Sequence, residues 1–280
     1  MPYSAEISRS NPTCFLFLID QSGSMGDAVP NQPNRKKSDA VSDAINRMLQ
    51  NLVIRCAKEE GVRDYFYVGV VGYGNTVGPA FSGPLAGKEM VSISEVGNMP
   101  ARIEDRTKKI DDGAGGITEQ SIRMPIWFDP VAGGGTPMCQ ALGLAQGILQ
   151  KWLIQHPSCF PPVVIQITDG ESTDGDPTNA MRGIKDLASQ DGNVLVFNVH
   201  ISSDPSATPI AFPDSENLLP NAPAKTLFEG SSVLTPFMRS AANSQHGLSL
   251  SDGARGFVLN GDMVLVVQAL DIGTRPSNLR

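Results

Sequence analysis

Long apolar runs are missing. No segment of the 280 residues approaches 18 consecutive apolar positions, so none reads as a membrane-spanning helix. The opening stretch Met1-Pro2-Tyr3-Ser4-Ala5-Glu6 lacks a basic segment followed by an apolar one, so no secretory signal is expected. Histidine is scarce, at three residues, and the four cysteines (Cys14, Cys56, Cys139, Cys159) stand singly, with no CxxC pair and no Cys/His cluster. That argues against a thiolate zinc site and leaves four expected buried free thiols. The Asn-x-Thr pattern at Asn11-Pro12-Thr13 carries proline in the position that blocks glycosylation. Positive charge is in the minority, with a formal net charge of −7. The longest basic run, Arg35-Lys36-Lys37, reads as a solvated turn ahead of an acidic helix. A nucleic-acid binder should show a basic face. Neither nucleic acid nor membrane is therefore expected as a partner, and the expected setting is the cytoplasm.

What is present points to a packed α/β chain. Hydrophobic residues make up 40% and charged residues 18%, which excludes global disorder. A chain of this length buries about three-quarters of its unfolded surface and needs no disulfide or metal staple. The continuous apolar run at 14–19 and the runs at 65–73, 163–168 and 194–199 predict strands buried on both faces. Between them the apolar period is helical. Val41, Ile45, Met48, Leu49, Leu52 and Cys56 share one face of a helix over 37–57, with Ser38 as its expected N-cap. Met138, Leu142, Ala145, Leu149, Trp152 and Leu153 share a face over 137–154. A helix is expected over 178–189 and another over about 232–243. A short strand at 256–259 then precedes a last helix over about 261–270, capped by Asn260. Alternating strands and helices predict a mostly parallel central sheet with helices on both faces. The expected organisation is a single domain over 1–280. Residues 74–131, rich in glycine and broken by proline, read as a β-rich insertion without a helix, with short alternating runs at 89–93, 101–104 and 122–128.

The chemistry-bearing residues gather at strand ends. The first apolar strand ends at Asp20, followed by Gln21-Ser22-Gly23-Ser24-Met25-Gly26. The strand at 163–168 ends at Asp169-Gly170-Glu171, and Gly133-Gly134-Gly135-Thr136-Pro137 opens a helix with Thr136 as a natural N-cap. Ligands of open α/β sheets bind at the carboxyl ends of the strands, so the three loops can converge on one crevice. Asp20, Ser22, Ser24, Thr136 and Asp169 would form a hard, all-oxygen donor set. It suits Mg²⁺ or Mn²⁺, admits Ca²⁺, and is poor for Zn²⁺ or Cu. Mg²⁺ wants six ligands, so at least one position should stay open to water or to an outside carboxylate.

Asp20-x-Ser22-x-Ser24, a distant Thr136 in a Gly-Gly-Thr-Pro turn, and Asp169-Gly170 after an apolar strand resemble the metal-ion-dependent adhesion site of von Willebrand factor A (VWA) domains. The resemblance spans residues 14–200, with the end of the chain completing the same sheet. It implies a Rossmann-like VWA fold, metal ligation by those five residues directly or through water, and a partner protein whose Asp or Glu supplies the last ligand. Phe228-Glu-Gly-Ser-Ser-Val-Leu234 and Ala254-Arg-Gly-Phe-Val-Leu-Asn260 are further similar to bacterial stand-alone VWA proteins of the TerY type. Such proteins are associated with a kinase and a phosphatase in stress or defence systems. Other cytoplasmic VWA proteins are adaptors for AAA+ ATPases. The insertion at 74–131 departs from a minimal VWA domain.

Competing motifs are weaker. Gly72-x-Gly74 with Gly78 has its third glycine one residue late for a dinucleotide fingerprint, and Gly83-Pro-Leu-Ala-Gly87-Lys88 is one residue short of a P-loop. Ser24 lacks the first glycine of a nucleophile elbow, and His156, His200 and His246 show no pairing signature. Cys139, one helical turn from Thr136, reads as a buried helix residue. The acidic stretch Asp169 to Asp176 lacks the EF-hand Gly and Glu; it reads as a negative rim near the metal, with Asp176 or Thr178 starting the next helix. A metal-assisted phosphohydrolase would want a second carboxylate in Asp-x-Ser and a nearby general base. The expected function is therefore non-enzymatic, metal-dependent protein binding.

Overall fold

A computed structural model describes residues 2–30, 32–111, 117–202, 206 and 208–274. Strand β1 (Thr13–Asp20) is buried along its whole length. It lies between β2 (Phe66–Tyr73) and the later strand at Val163–Thr168, and pairs parallel with both. Beyond β2 the chain adds β3 (Val77–Pro79) and β4 (Val91–Ser92), each antiparallel to β2. A hairpin of β5 (Arg102–Asp111) and β6 (Ile117–Ile126) follows. On the other side of β1 come β7 (Val163–Thr168), β8 (Leu195–Ile201), β9 (Ile210–Ala211) and β10 (Phe257–Gly261). Among the described residues the main sheet has eight strands in the order β9-β10-β8-β7-β1-β2-β3, with β4 also on β2. Its five central strands are parallel.

Alternation along β1 divides the core. Phe15, Phe17 and Ile19 pack in one cluster with Val41, Ile45 and Leu49 of α1 (Lys37–Cys56), together with Val266 and Ala269 further along the chain. Cys14, Leu16 and Leu18 pack in the other with Leu142, Ala145 and Leu149 of a second long helix. Successive strand residues face opposite sides, so helices cover both faces as the pattern predicts. The chain steps from β1 to β2 on one side and later returns to β7 on the other. The topological switch point, where ligands of such sheets bind, therefore falls between the ends of β1 and β7.

Several local expectations are corrected. α1 begins at Lys37, so Ser38 is not its cap; Ser38 is buried inside the first turn. The insertion contains a helix, α2 (Ile93–Asn98), capped by the Ser92 side chain. Its two ends and α2 belong to the core: Phe81, Leu85, Ile93, Val96, Trp127 and Phe128 are buried in the α1-side cluster. Helix α3 (Met138–Gln155) starts one residue later than expected, leaving Thr136 just outside it and Pro137 at its cap position. Helix α4 (Thr178–Lys185) ends at Lys185, short of 189. The helix expected over about 232–243 is α6 (Pro236–His246), displaced by a few residues, and an unexpected helix, α5 (Ala222–Gly230), precedes it. The side chains of Asn221 and Thr235 cap them. Helix α7 (Met263–Gly273) is capped by Asp262, whose carboxylate accepts the Leu265 N–H at 2.9 Å. Asn260, the expected cap, sits inside β10. Among the described residues no helix is long and apolar enough to cross a membrane.

Candidate metal site

The loops that follow β1, β2 and β7 meet the 133–137 loop that opens α3, joined by main-chain bonds. The Gln21 N–H donates to the Tyr73 carbonyl at 2.7 Å, the Gly133 N–H to the Gln21 carbonyl at 2.7 Å, and the Gly23 N–H to the Gly134 carbonyl at 3.0 Å. Glycine makes this approach possible. A Cβ on Gly74 would lie 2.5 Å from the Gln21 oxygen and 2.7 Å from the Gly133 oxygen, and Gly134 has φ of +83°. The Gly72/Gly74 pattern serves this close packing of loops.

Asp20, at the end of β1, is 1% exposed. Its Oδ1 accepts the Ser22 backbone N–H at 2.8 Å and its Oδ2 accepts the Thr168 hydroxyl at 2.7 Å. Burial pushes its carboxyl above the ordinary range, against the lowering effect of those hydrogen bonds, and the Asp169 carboxylate nearby pushes the same way as burial. The Ser22 and Ser24 hydroxyls lie 3.1 Å apart, and the Ser24 hydroxyl donates to Asp169 Oδ1 at 2.8 Å. Asp20, Ser22, Ser24 and Asp169 are thus joined in one bonded path. Thr136 is buried, and a Cβ built on Gly170 would stand 3.8 Å from its Oγ1, which puts that hydroxyl beside the residue after Asp169. Thr136 is held by two bonds with Thr173: its N–H donates to Thr173 Oγ1 at 2.9 Å, and its carbonyl accepts the Thr173 N–H at 2.9 Å.

The sequence reading missed three participants. Thr168 and Thr173 position Asp20 and Thr136 through the bonds above. A threonine closing an apolar strand was the available signal for Thr168; none pointed to Thr173. The third is Lys37. The basic run is not a solvated turn: the Lys37 side chain is fully buried, and its ammonium donates to Asp169 Oδ2, on an equally enclosed carboxylate. Asp27 lies 3.9 Å from the same ammonium, with its own side chain 63% exposed. Arg35 pairs with Asp43 at 2.7 Å.

The acidic stretch after Asp169 is partly committed to helix ends. Asp174 accepts the backbone N–H groups of Cys139 and Gln140, at 3.0 and 2.9 Å, at the start of α3. Asp176 accepts the Thr178 N–H at 2.9 Å at the start of α4. Such carboxylates satisfy amides that helices leave unpaired, so they contribute less to a negative rim than their number suggests. Cys139 is half-buried rather than buried, and burial pushes its thiol up, away from the thiolate. His200, beside Thr168 in the parallel register, is pushed down by burial, against the raising effect of the Asp169 carboxylate.

No protein-family model matches the chain, and no curated protein does. Solved structures do. The vWF domain of the type V pili tip protein Mfa5 from Porphyromonas gingivalis is 14% identical over 58% of this chain and 39% of its own, with a TM-score of 0.30. The ArnB paralog VWA2 from Sulfolobus acidocaldarius is 14% identical over 69% of this chain and 36% of its own, at 0.36. The pilus adhesin RrgA from Streptococcus pneumoniae is 16% identical over 60% and 22%, at 0.32. Likeness of this size assigns no function. The chain spans well under half the length of each.

The donors themselves fit a hard divalent cation. All five are oxygens, as Mg²⁺ and Mn²⁺ prefer. Asp20 is an enclosed carboxylate with lone pairs beyond the two it uses and a burial penalty that a cation would relieve. Among the described residues no group of three or more His, Cys, Asp or Glu side chains gathers as a metal cluster, so only two carboxylates would be offered, with hydroxyls completing the set.

Proposed function

We propose that the chain is a VWA-type binding module. In this reading Asp20, Ser22, Ser24, Thr136 and Asp169 hold Mg²⁺ or Mn²⁺, directly or through water, and a partner protein adds an Asp or Glu carboxylate at an open position. One observation carries it: the bonded path Asp20–Ser22–Ser24–Asp169 lies at the switch point between β1 and β7, with Thr136 beside Gly170. Next to Gly170 a cleft of about 220 Å³ is lined by Met138, Glu171, Pro177, Pro223 and Leu227. It gives room for apolar and basic residues flanking the partner's acid, and Glu171 favours the basic ones. Binding then consists of one charge-assisted contact through the ion, surrounded by shape complementarity. The partner classes this reading implies are a kinase–phosphatase pair of a bacterial stress or signalling system, or an AAA+ ATPase served by an adaptor.

Thermal melts with Mg²⁺, Mn²⁺, Ca²⁺ or EDTA test the site. A ligand at about 100 times its dissociation constant stabilises by about 2.7 kcal/mol, and Asp20→Asn should abolish the response. An unchanged melt at millimolar ion, both for wild type and for Lys37→Met, which removes the ammonium on Asp169, would sink the reading. A phosphatase assay on the same samples guards against the enzymatic alternative: turnover lost in Asp20→Asn would replace binding with catalysis.

A further inference from the structure

Lys37 is placed against several ordinary preferences at once. Lysine is almost never fully buried unless paired, yet this side chain has no exposure. It is the first residue of α1, at the helix end where the dipole favours anions and disfavours cations. Its backbone N–H donates to the Asp27 carbonyl at 2.9 Å, so the main chain anchors it beside the loop that carries Ser22 and Ser24. The ammonium nevertheless reaches Asp169, a carboxylate of the candidate metal site.

We propose that Lys37 is a tethered counter-ion that competes with a divalent cation for Asp169. The inference rests on the metal reading above and goes beyond it. Charge counting supports exchange over coexistence. Asp20 and Asp169 together neutralise one divalent ion; adding the Lys37 ammonium leaves the enclosed site with a surplus positive charge and two cations repelling each other at close range. With Lys37 in place and no metal, Asp169 is neutralised, and Asp20 alone keeps an enclosed charge without a counter-ion. For a cation to use Asp169, Lys37 has to withdraw. The structure supplies its refuge: the Asp27 carboxylate, 3.9 Å from the ammonium and open to solvent. Metal occupancy is thereby coupled to a displacement of a side chain at the N-terminus of α1, and intrinsic metal affinity is held below what the five oxygens alone would give.

Calorimetric titration of the full chain with MnCl₂ tests this with wild type, Lys37→Met, Lys37→Arg and Asp20→Asn. Lys37→Met, of similar length and without charge, should bind Mn²⁺ at least about tenfold more tightly, about 1.4 kcal/mol. Lys37→Arg, which keeps the charge, should bind no more tightly than wild type. A second measurement needs no variant. Amine acetylation of wild type, read by mass spectrometry, should leave Lys37 protected in EDTA and modify it faster at saturating Mn²⁺. Equal or weaker binding by a folded Lys37→Met, or equal protection of Lys37 with and without saturating Mn²⁺, overturns the proposal; the metal site itself survives if Asp20→Asn abolishes wild-type binding. Should neither wild type nor Lys37→Met bind Mn²⁺ at millimolar concentration, the site reading fails and the counter-ion with it. If Lys37→Met does not fold, the acetylation result on wild type decides.

Discussion

Asp20→Asn should make the metal-free protein more stable, although it removes a buried, hydrogen-bonded side chain. Both of Asp20's bonds can be kept in kind by the amide. The carboxamide oxygen accepts the Ser22 N–H as Oδ1 now does at 2.8 Å. The new NH₂ donates to Thr168 Oγ1, 2.7 Å from the present Oδ2, and the Thr168 hydroxyl turns its proton to the Gly170 carbonyl, 3.1 Å away. What is lost is an enclosed negative charge, 1% exposed, and its repulsion from Asp169. Single stabilising substitutions commonly gain about 0.5–2 kcal/mol, and a gain of that order for a chain of this size raises the melting temperature by a few degrees. The sign with pH follows from the raised carboxyl: the charged form is the one the fold disfavours. The variant's advantage is full at neutral pH and shrinks as acid protonates Asp20 of the wild type through its own raised pKa. The assay is urea denaturation in EDTA at neutral and acidic pH, repeated with saturating Mg²⁺, where wild type should overtake the variant by virtue of linkage. A variant less stable than wild type by more than about 1 kcal/mol in EDTA, the worth of an ordinary hydrogen bond, would refute the reasoning and make Asp20 a structural acceptor.

Asn46→Ala should cost about 2–5 kcal/mol, because it leaves the Trp127 and Phe128 N–H groups, now 2.8 and 3.1 Å from Asn46 Oδ1, unpaired in the core; urea midpoints measure it, and a loss under about 1 kcal/mol would mean the insertion's return is held otherwise. Gly74→Ala forces a Cβ against the Gln21 and Gly133 oxygens, so a destabilisation of about 1–3 kcal/mol with weaker Mn²⁺ binding is expected, and an unaffected titration would show that the loop junction does not shape the site. His200 is pushed down by burial, so the unfolded chain takes a proton that the fold resists. Stability should fall as pH drops below about 6.5, and His200→Gln should flatten that decline in denaturation curves; an unchanged slope would assign the acid loss to other groups.

Much was legible in the sequence because it is local. Apolar runs such as Cys14–Ile19 and the helical period through Val41, Ile45 and Leu49 carry their own burial signal, and the core faces of α1 and α3 follow from it. The strand-end positions of Asp20 and Asp169 could be read the same way. Helix ends were less legible, since the cap is a competition between neighbours: Asp262 rather than Asn260 accepts the amide of α7, and Asp174 reaches α3 from the far side of β7. Residues 74–131 hid a helix and two core-bound ends, as short alternating runs do not distinguish an edge strand from a turn of helix. The stretches at 228–234 and 254–260 pack on each other, with the Arg255 guanidinium 4.9 Å from the Phe228 ring centre.

By itself, the amino-acid order determined which segments form the strands of a mostly parallel sheet and which oxygens stand at its carboxyl edge. Hydrophobic period and strand-end position are properties of neighbours in the chain. Only the tertiary structure decided what surrounds those oxygens. A lysine in a basic run reads as solvated at any window length, and its full burial on Asp169, 132 residues away, depends on α1 docking against the end of β7. The balance of charge in the crevice is set by that long-range contact, because electrostatic partners are chosen by distance in space and not by spacing along the chain.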